Sequence, residues 1–134
     1  MSTVRVKIIQ PTRIVLDDEC EHIVIPGSAG DFGVSSEHTP LITTIRPGAL
    51  VTYTDGKQDS FAIHDGFVTV ENNVVRIVCE VIEKNDEVDK KRAEKAKRRA
   101  EDRLNQPDNP DIDYRRAEAA LARAVARLRA VSGN

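Results

Sequence analysis

The chain of 134 residues is short of long apolar runs, cysteines and aromatic side chains. No stretch approaches the roughly 18 apolar residues that a membrane-spanning helix needs. The start, Met-Ser-Thr-Val-Arg-Val-Lys, offers no apolar export segment. Two cysteines, Cys20 and Cys79, fit a reducing compartment and are expected as ordinary strand thiols. Only two Tyr and three Phe occur, and of these only Tyr114 adjoins arginines. A nucleic acid would therefore find little to stack on, and the pI of 5.9 argues the same way. His22, His38 and His64 lack metal-ligand spacing. Ser35-Ser36 near His38 reads as a turn and not as a nucleophile elbow. Gly27-Ser28-Ala29-Gly30 lacks the lysine and helix of a phosphate loop. No catalytic residue and no metal ligand is expected, and no nucleic-acid partner.

What is present divides in two. Forty per cent of the residues are apolar and 31% charged, as in a foldable soluble chain. The net charge of −2 hides an asymmetry. Residues 1–83 hold 6 Lys and Arg against 12 Asp and Glu, whereas residues 84–134 hold 14 against 10. A shift from −6 to +4 at one place suggests two modules with different partners.

The hydrophobic period changes at the same place. Val4, Val6 and Ile8 alternate with Arg5 and Lys7, the pattern of a strand with one buried face. Further short strands are expected at Glu21–Ile25, Leu41–Ile45, Ala49–Tyr53, Ser60–His64, Phe67–Val70 and Val74–Ile82. Asp55-Gly56 and Asn72-Asn73 suit tight hairpin turns, and Pro11, Pro26, Pro40 and Pro47 all fall between strands. Beyond Ile82, Asn85 or Asp86 can cap a helix over Val88–Leu104. After the break at Asn105–Asn109, a second helix is expected from Asn109 as cap and Pro110 at its first position, running to about Val131. The expected fold is α+β: an antiparallel β-sandwich over residues 1–84, then an antiparallel helical hairpin over 85–134.

The helical stripes are thin. Ala93, Ala96, Ala100 and Leu104 line one helix; Ala117, Leu121, Ala124, Leu128 and Val131 line the other. Small residues allow close approach, but alanine buries little area at about 25 cal/mol per Å², so the hairpin needs a support and is expected to be only marginally held. Arg92, Lys95, Arg99 and Arg103 form a basic stripe on the first helix; Arg116, Arg123 and Arg127 form one on the second. Two readings stand side by side. The stripes are either solvated faces with partners such as Glu94–Arg98 and Lys97–Glu101, or they converge on an anion, for which guanidinium is well suited. Val88-Asp89-Lys90-Lys91-Arg92-Ala93 is echoed by Ile112-Asp113-Tyr114-Arg115-Arg116-Ala117, and each carries an acid and an arginine three residues apart. This repetition favours the anion reading, against which each pair alone is a surface ion pair near a helix start.

Several segments together carry a resemblance. They are Gly30-Asp31-Phe32-Gly33-Val34, His38-Thr39-Pro40-Leu41, Arg46-Pro47-Gly48, Gly66-Phe67-Val68-Thr69-Val70 and Asp86-Glu87-Val88-Asp89 followed by Arg92-Ala93. In this order, over essentially the whole chain, they resemble the epsilon subunit of bacterial F-type ATP synthases. The resemblance implies a non-catalytic rotor subunit at the cytoplasmic face of the cell membrane, held there peripherally. Its sandwich would rest on the gamma subunit and the c-ring. Its hairpin would lie against the sandwich or extend toward the alpha/beta catalytic head, where it inhibits ATP hydrolysis. ATP, alone or with Mg2+, is implied as a regulatory ligand that favours the folded-down state. The implied binding residues are Glu83, Val88, Asp89, Arg92, Ala93, Arg99, Arg116, Arg123 and Arg127. Val88 stands where the family has Ile or Leu, and one missing methylene should weaken contact with the base only slightly.

Overall fold

The structure, a computed structural model, describes residues 2–132. Eight strands come first: β1 (Val4–Gln10), β2 (Arg13–Cys20), β3 (His22–Gly27), β4 (Gly30–Ser35), β5 (Leu41–Ile45), β6 (Gly48–Thr54), β7 (Lys57–Glu71) and β8 (Val74–Lys84). A 3-10 turn at Asn85–Glu87 leads to α1 (Lys90–Leu104) and α2 (Tyr114–Ser132). The α+β architecture, a sandwich followed by two helices, is that read from the two periods.

Two layers arise because β7 and β8 serve both. The first half of β7 pairs with β6, from Lys57↔Thr54 to Ile63↔Gly48, and the second half pairs with β5, from Gly66↔Ile45 to Val70↔Leu41. Between them Asp65 takes φ 60°, and the inward set shifts from Phe61 and Ile63 to Val68 and Val70. This change of phase is why the alternation reads as two strands in sequence, Ser60–His64 and Phe67–Val70, although one strand runs through both. Gly66 sits at the bend. A Cβ there would lie 2.3 Å from the Val78 carbonyl oxygen and 3.0 Å from the Cys79 Cα, so only glycine permits the two strands to cross this closely. Asp55-Gly56 and Asn72-Asn73 have positive φ at both positions, 50° and 74° in the first and 51° and 62° in the second, and close the hairpins expected of them.

Four features depart from the sequence reading. Pro26, expected between strands, lies inside β3 opposite Asp31. The pairing of β1 with β8 is parallel, not antiparallel, with Val6 opposite Val75 and Ile8 opposite Ile77. No hairpin joins these strands, so burial alone sets their direction. β2 and β4 were not expected. Apolar Ile14-Val15-Leu16 followed by Asp17-Asp18-Glu19 breaks a period of two in β2, and β4 contains two glycines. Both helices also start late. Asp89, not Asn85 or Asp86, caps α1 by accepting the Arg92 amide at 3.0 Å. Asp113, not Asn109, caps α2 by accepting the Arg116 amide at 3.1 Å. Asn109 instead accepts the Asp111 amide in a local turn, which leaves Pro110 outside the helix. The two Asp–Arg pairs are therefore caps to backbone, not ion pairs between side chains. The far end of the second expected helix, Gly133 and Asn134, lies outside the described residues.

The sandwich core is built on Ile8, Ile23, Ile25, Leu50, Ile63 and Ile77, with Val4 and Val6 facing in as their alternation requires. Cys20 and Cys79 are free and buried there. Burial raises both thiols to about 11, so they stay protonated at neutral pH. Outside this core a second buried set, Val51, Ser60, Ala62 and His64, lies on the outward face of β6 and β7. There α2 packs, and α1 packs on α2. Ala126 and Ala130 join Ala117 and Ala124 as buried positions of α2, so α2 carries one small-residue face more than its stripe toward α1 accounts for. Nδ1 of His64 lies 3.0 Å from Asp65, while its Nε2 is buried without a partner among the described residues. An unpaired buried nitrogen costs about 1–3 kcal/mol, a burden on this interface.

The opposite layer presents apolar side chains to solvent. Register aligns Thr44, Phe67, Val78, Ile9 and Ile14 in one row across β5, β7, β8, β1 and β2. Ile42 stands two residues from Thr44 on the same face; Ile14, Ile42 and Phe67 are 67%, 72% and 44% exposed.

Gly66→Ala is expected to cost about 1–3 kcal/mol and to lower the thermal midpoint by on the order of 10 °C. Differential scanning calorimetry of the whole chain would read this, and an unchanged midpoint would refute the close-crossing argument.

Candidate functional site

Where β8 ends, the 3-10 turn carries the chain away from the sheet and α2 returns over it. Between these elements lies a cleft of about 460 Å³. Glu83, Glu87 and Asp89 line it from the end of β8 and the turn; Arg92, Lys95 and Arg99 from α1; and Arg127 from α2. Ala93 and Ala96 form the rest of the wall, and their small side chains leave the space. Positions 92, 95, 96 and 99 share one helical face because they are spaced by 3 and 4 residues. The size falls within the about 300–1,000 Å³ usual for small-molecule sites.

The charges are not balanced within the cleft. Arg127 Nε donates to Glu83 Oε1 at 2.6 Å, tying α2 to the sandwich. Glu87 accepts the Lys84 amide at 3.1 Å, and Asp89 is occupied as the cap of α1. Each carboxylate thus already serves a donor of the protein. Among the described residues, Arg92, Lys95 and Arg99 have no carboxylate within ion-pair distance. Glu94–Arg98 and Lys97–Glu101, the expected partners along α1, are not paired either. Arg92, Lys95, Arg99 and Arg127 against Glu83, Glu87 and Asp89 leave the cleft with a net positive charge of one, and the amino-terminal end of α1 adds to that potential. An anion with several oxygens suits such a place. Among the described residues no three His, Cys, Asp or Glu side chains gather as a metal site.

The family description "ATP synthase, Delta/Epsilon chain, beta-sandwich domain" matches residues 3–85, and "ATP synthase, Delta/Epsilon chain, long alpha-helix domain" matches residues 86–132. The ATP synthase epsilon chain of Desulfitobacterium hafniense strain Y51 is 42% identical over 128 residues, covering 96% of each chain. The chain belongs to the ATP synthase epsilon chains. The epsilon chain of Bacillus subtilis strain 168 is 38% identical over 113 residues, 84% of this chain and 86% of that one. A chain in the cryo-EM structure of the Euglena gracilis mitochondrial ATP synthase, with OSCP, F1 and c-ring, shares the fold. Its TM-score is 0.81 at 24% identity, over 91% of this chain and 77% of that one.

Of the positions that the epsilon resemblance implies for nucleotide, Glu83, Asp89, Arg92, Ala93, Arg99 and Arg127 line the cleft. Val88 lies in the extended link before α1, half-buried and outside the lining. Arg116 borders a separate hollow at the hairpin tip, with Arg103 and Asp113. It precedes Arg127 by eleven positions, about 16 Å along the helix axis. Arg123 is half-buried one turn before Arg127 and does not line the cleft. Glu87, Lys95 and Ala96 complete the wall without having been singled out for it. Lys95 was legible in the basic stripe, and Ala96 in the apolar one. Glu87 enters only because the 3-10 turn delays the start of α1. No helix among the described residues is long and apolar enough to cross a membrane.

Proposed function

We propose that this epsilon chain is a non-catalytic subunit of the central stalk of an F-type ATP synthase, peripheral to the cytoplasmic face of a bacterial membrane. Residues 1–84 hold it on the rotor, and residues 85–134 act as a movable brake on ATP hydrolysis. The observation that carries this reading is the α2 interface: small residues, a buried unpaired His64 nitrogen and one half-exposed ion pair, Glu83–Arg127. An ion pair of that exposure is worth about 0–1 kcal/mol. Such a contact supports a hairpin that leaves the sandwich and reaches an acidic surface of the alpha/beta head with its arginines.

The arginine-lined cleft is the proposed effector site for ATP. Arg92, Lys95 and Arg99 would hold the phosphates, and Arg127 would contact them from α2. Because Glu83 and Arg127 come from different modules, the cleft exists only while the hairpin is docked. Occupancy therefore stabilises the docked form by RT ln(1 + [ATP]/Kd), about 1.4 kcal/mol at ten times Kd. The remaining phosphate-capable position, Arg123, lies on the same flank of α2.

For the rotor side, the row of Phe67, Val78, Ile9 and Ile14 with Ile42 is the proposed seat of the gamma subunit, beside the c-ring. Exposed apolar rows of this kind mark interaction sites.

Three measurements test these parts separately. Isothermal titration of the whole chain with ATP should show saturable binding that Asp89→Ala with Arg92→Ala weakens at least tenfold; unchanged affinity would remove the site. Deleting residues from 86 onward should leave the complex assembled and raise its ATP hydrolysis, and a truncated complex no faster than the intact one would show that the hairpin is no brake. Phe67→Asp should reduce co-purification with gamma at least tenfold, as expected for losing about 1.5–3 kcal/mol of apolar burial. Full retention of gamma by this variant would place the docking surface elsewhere.

A further inference from the structure

A second cavity, of about 210 Å³, opens at the side of the sandwich where β1 and β2 face β6 and β7. Its floor is the core itself. Val6 and Phe61 line it although they are 1% and 5% exposed, and Val15 and Leu16 of the edge strand complete an apolar wall. Phe61 reaches inward here beside its cross-strand partner Lys84. The Cys20 thiol in the same wall remains protonated at neutral pH because burial raises it to about 11. The apolar part of the cavity is thus confined to its floor and one wall, and Thr52 and Thr54 add hydroxyls beside it. At this size it falls short of the about 300 Å³ at which drug-sized sites begin, so it selects a small body.

The rim has a sign. Asp18, Glu19, Asp59 and Glu87 border the cavity, against Arg13 and Lys84. Among the described residues none of these six is in an ion pair. Arg13 is turned onto its own hairpin, where its Nε donates to Gln10 Oε1 at 2.9 Å. Four carboxylates against two cations leave a negative mouth over an apolar floor, the opposite of the arginine-lined cleft. The two hollows share Glu87, one on each side of the turn from which α1 departs.

We propose that this cavity is a binding site for a small organic ammonium ion, its apolar body against Val15, Leu16 and Phe61 and its charged nitrogen among the rim carboxylates. The mouth discriminates by charge: a neutral ligand of the same shape keeps only the apolar contact, and a carboxylate meets repulsion. This inference does not depend on nucleotide binding in the other cleft.

The test is a titration of the 15N-labelled whole chain at neutral pH and low salt, followed by amide chemical shifts. The probe is 2-phenylethylammonium, compared with 2-phenylethanol and 3-phenylpropionate. Saturable shifts at Cys20, Thr52, Thr54 and Phe61 are expected with the amine, at least fivefold weaker binding with the alcohol, and none with the carboxylate. Asp59→Lys, at an exposed position near the β6–β7 turn, should keep the spectrum of the folded chain and weaken the amine at least fivefold. Val15→Phe should fill the space and abolish the shifts. The proposal is overturned if the amine gives no saturable shifts at these residues, if the carboxylate binds as well as the amine, or if Asp59→Lys binds it like the wild type.

Discussion

The contact between α2 and the outward face of β6 and β7 is the constraint on which the rest depends. It is made by alanine. Ala126 and Ala130 are buried on α2, and Ala62 and Val51 are buried on the sheet side, outside the sandwich core. A methyl group contributes about 0.8 kcal/mol when buried, so a helix held by such groups approaches closely and yet is held lightly. His64 lies on the same outward face of β7, and its buried Nε2 has no hydrogen-bond partner among the described residues. α1 touches the body mainly through α2. A change at the α2 contact would therefore carry α1 with it.

That lightness contrasts with the sandwich. Its core consists mainly of Ile, Leu and Val side chains, with Phe61 and the two cysteines, at 0–6% exposure, and the bend in β7 lets one strand serve both layers. Removing a single strand from this arrangement would open both layers at once. The molecule thus joins a core of large aliphatic side chains to a hairpin seated on small ones. Glu83 of β8 takes Arg127 of α2, and Arg92, Lys95 and Arg99 of α1 face the cleft without an ion-pair partner among the described residues.

The outer faces divide the labour. One layer gives its outward face to α2. The other offers Phe67, Ile42 and Ile14 to solvent, a cost in water that a partner would relieve. Neither apolar face is visible from composition, because each is assembled from single residues of several strands.

Much of this was legible in the residues alone. Alternation showed Val4, Val6 and Ile8 facing inward; Asp55-Gly56 and Asn72-Asn73 marked their turns because few other pairs tolerate positive φ twice; and the shift to Ala, Lys, Arg and Glu after Ile82 announced helices. These are local properties, and local chemistry determines them. Registers and close crossings are not local. Only the tertiary structure decided that β1 runs parallel to β8, that Ser60–His64 and Phe67–Val70 are one bent strand, and that Asp89 and Asp113 spend their side chains on caps. It also decided which basic residues meet. Arg92, Arg99 and Arg127 share a cleft while Arg116 lies about 16 Å away along the helix axis, since helical spacing tells which face a residue occupies but not what packs against that face.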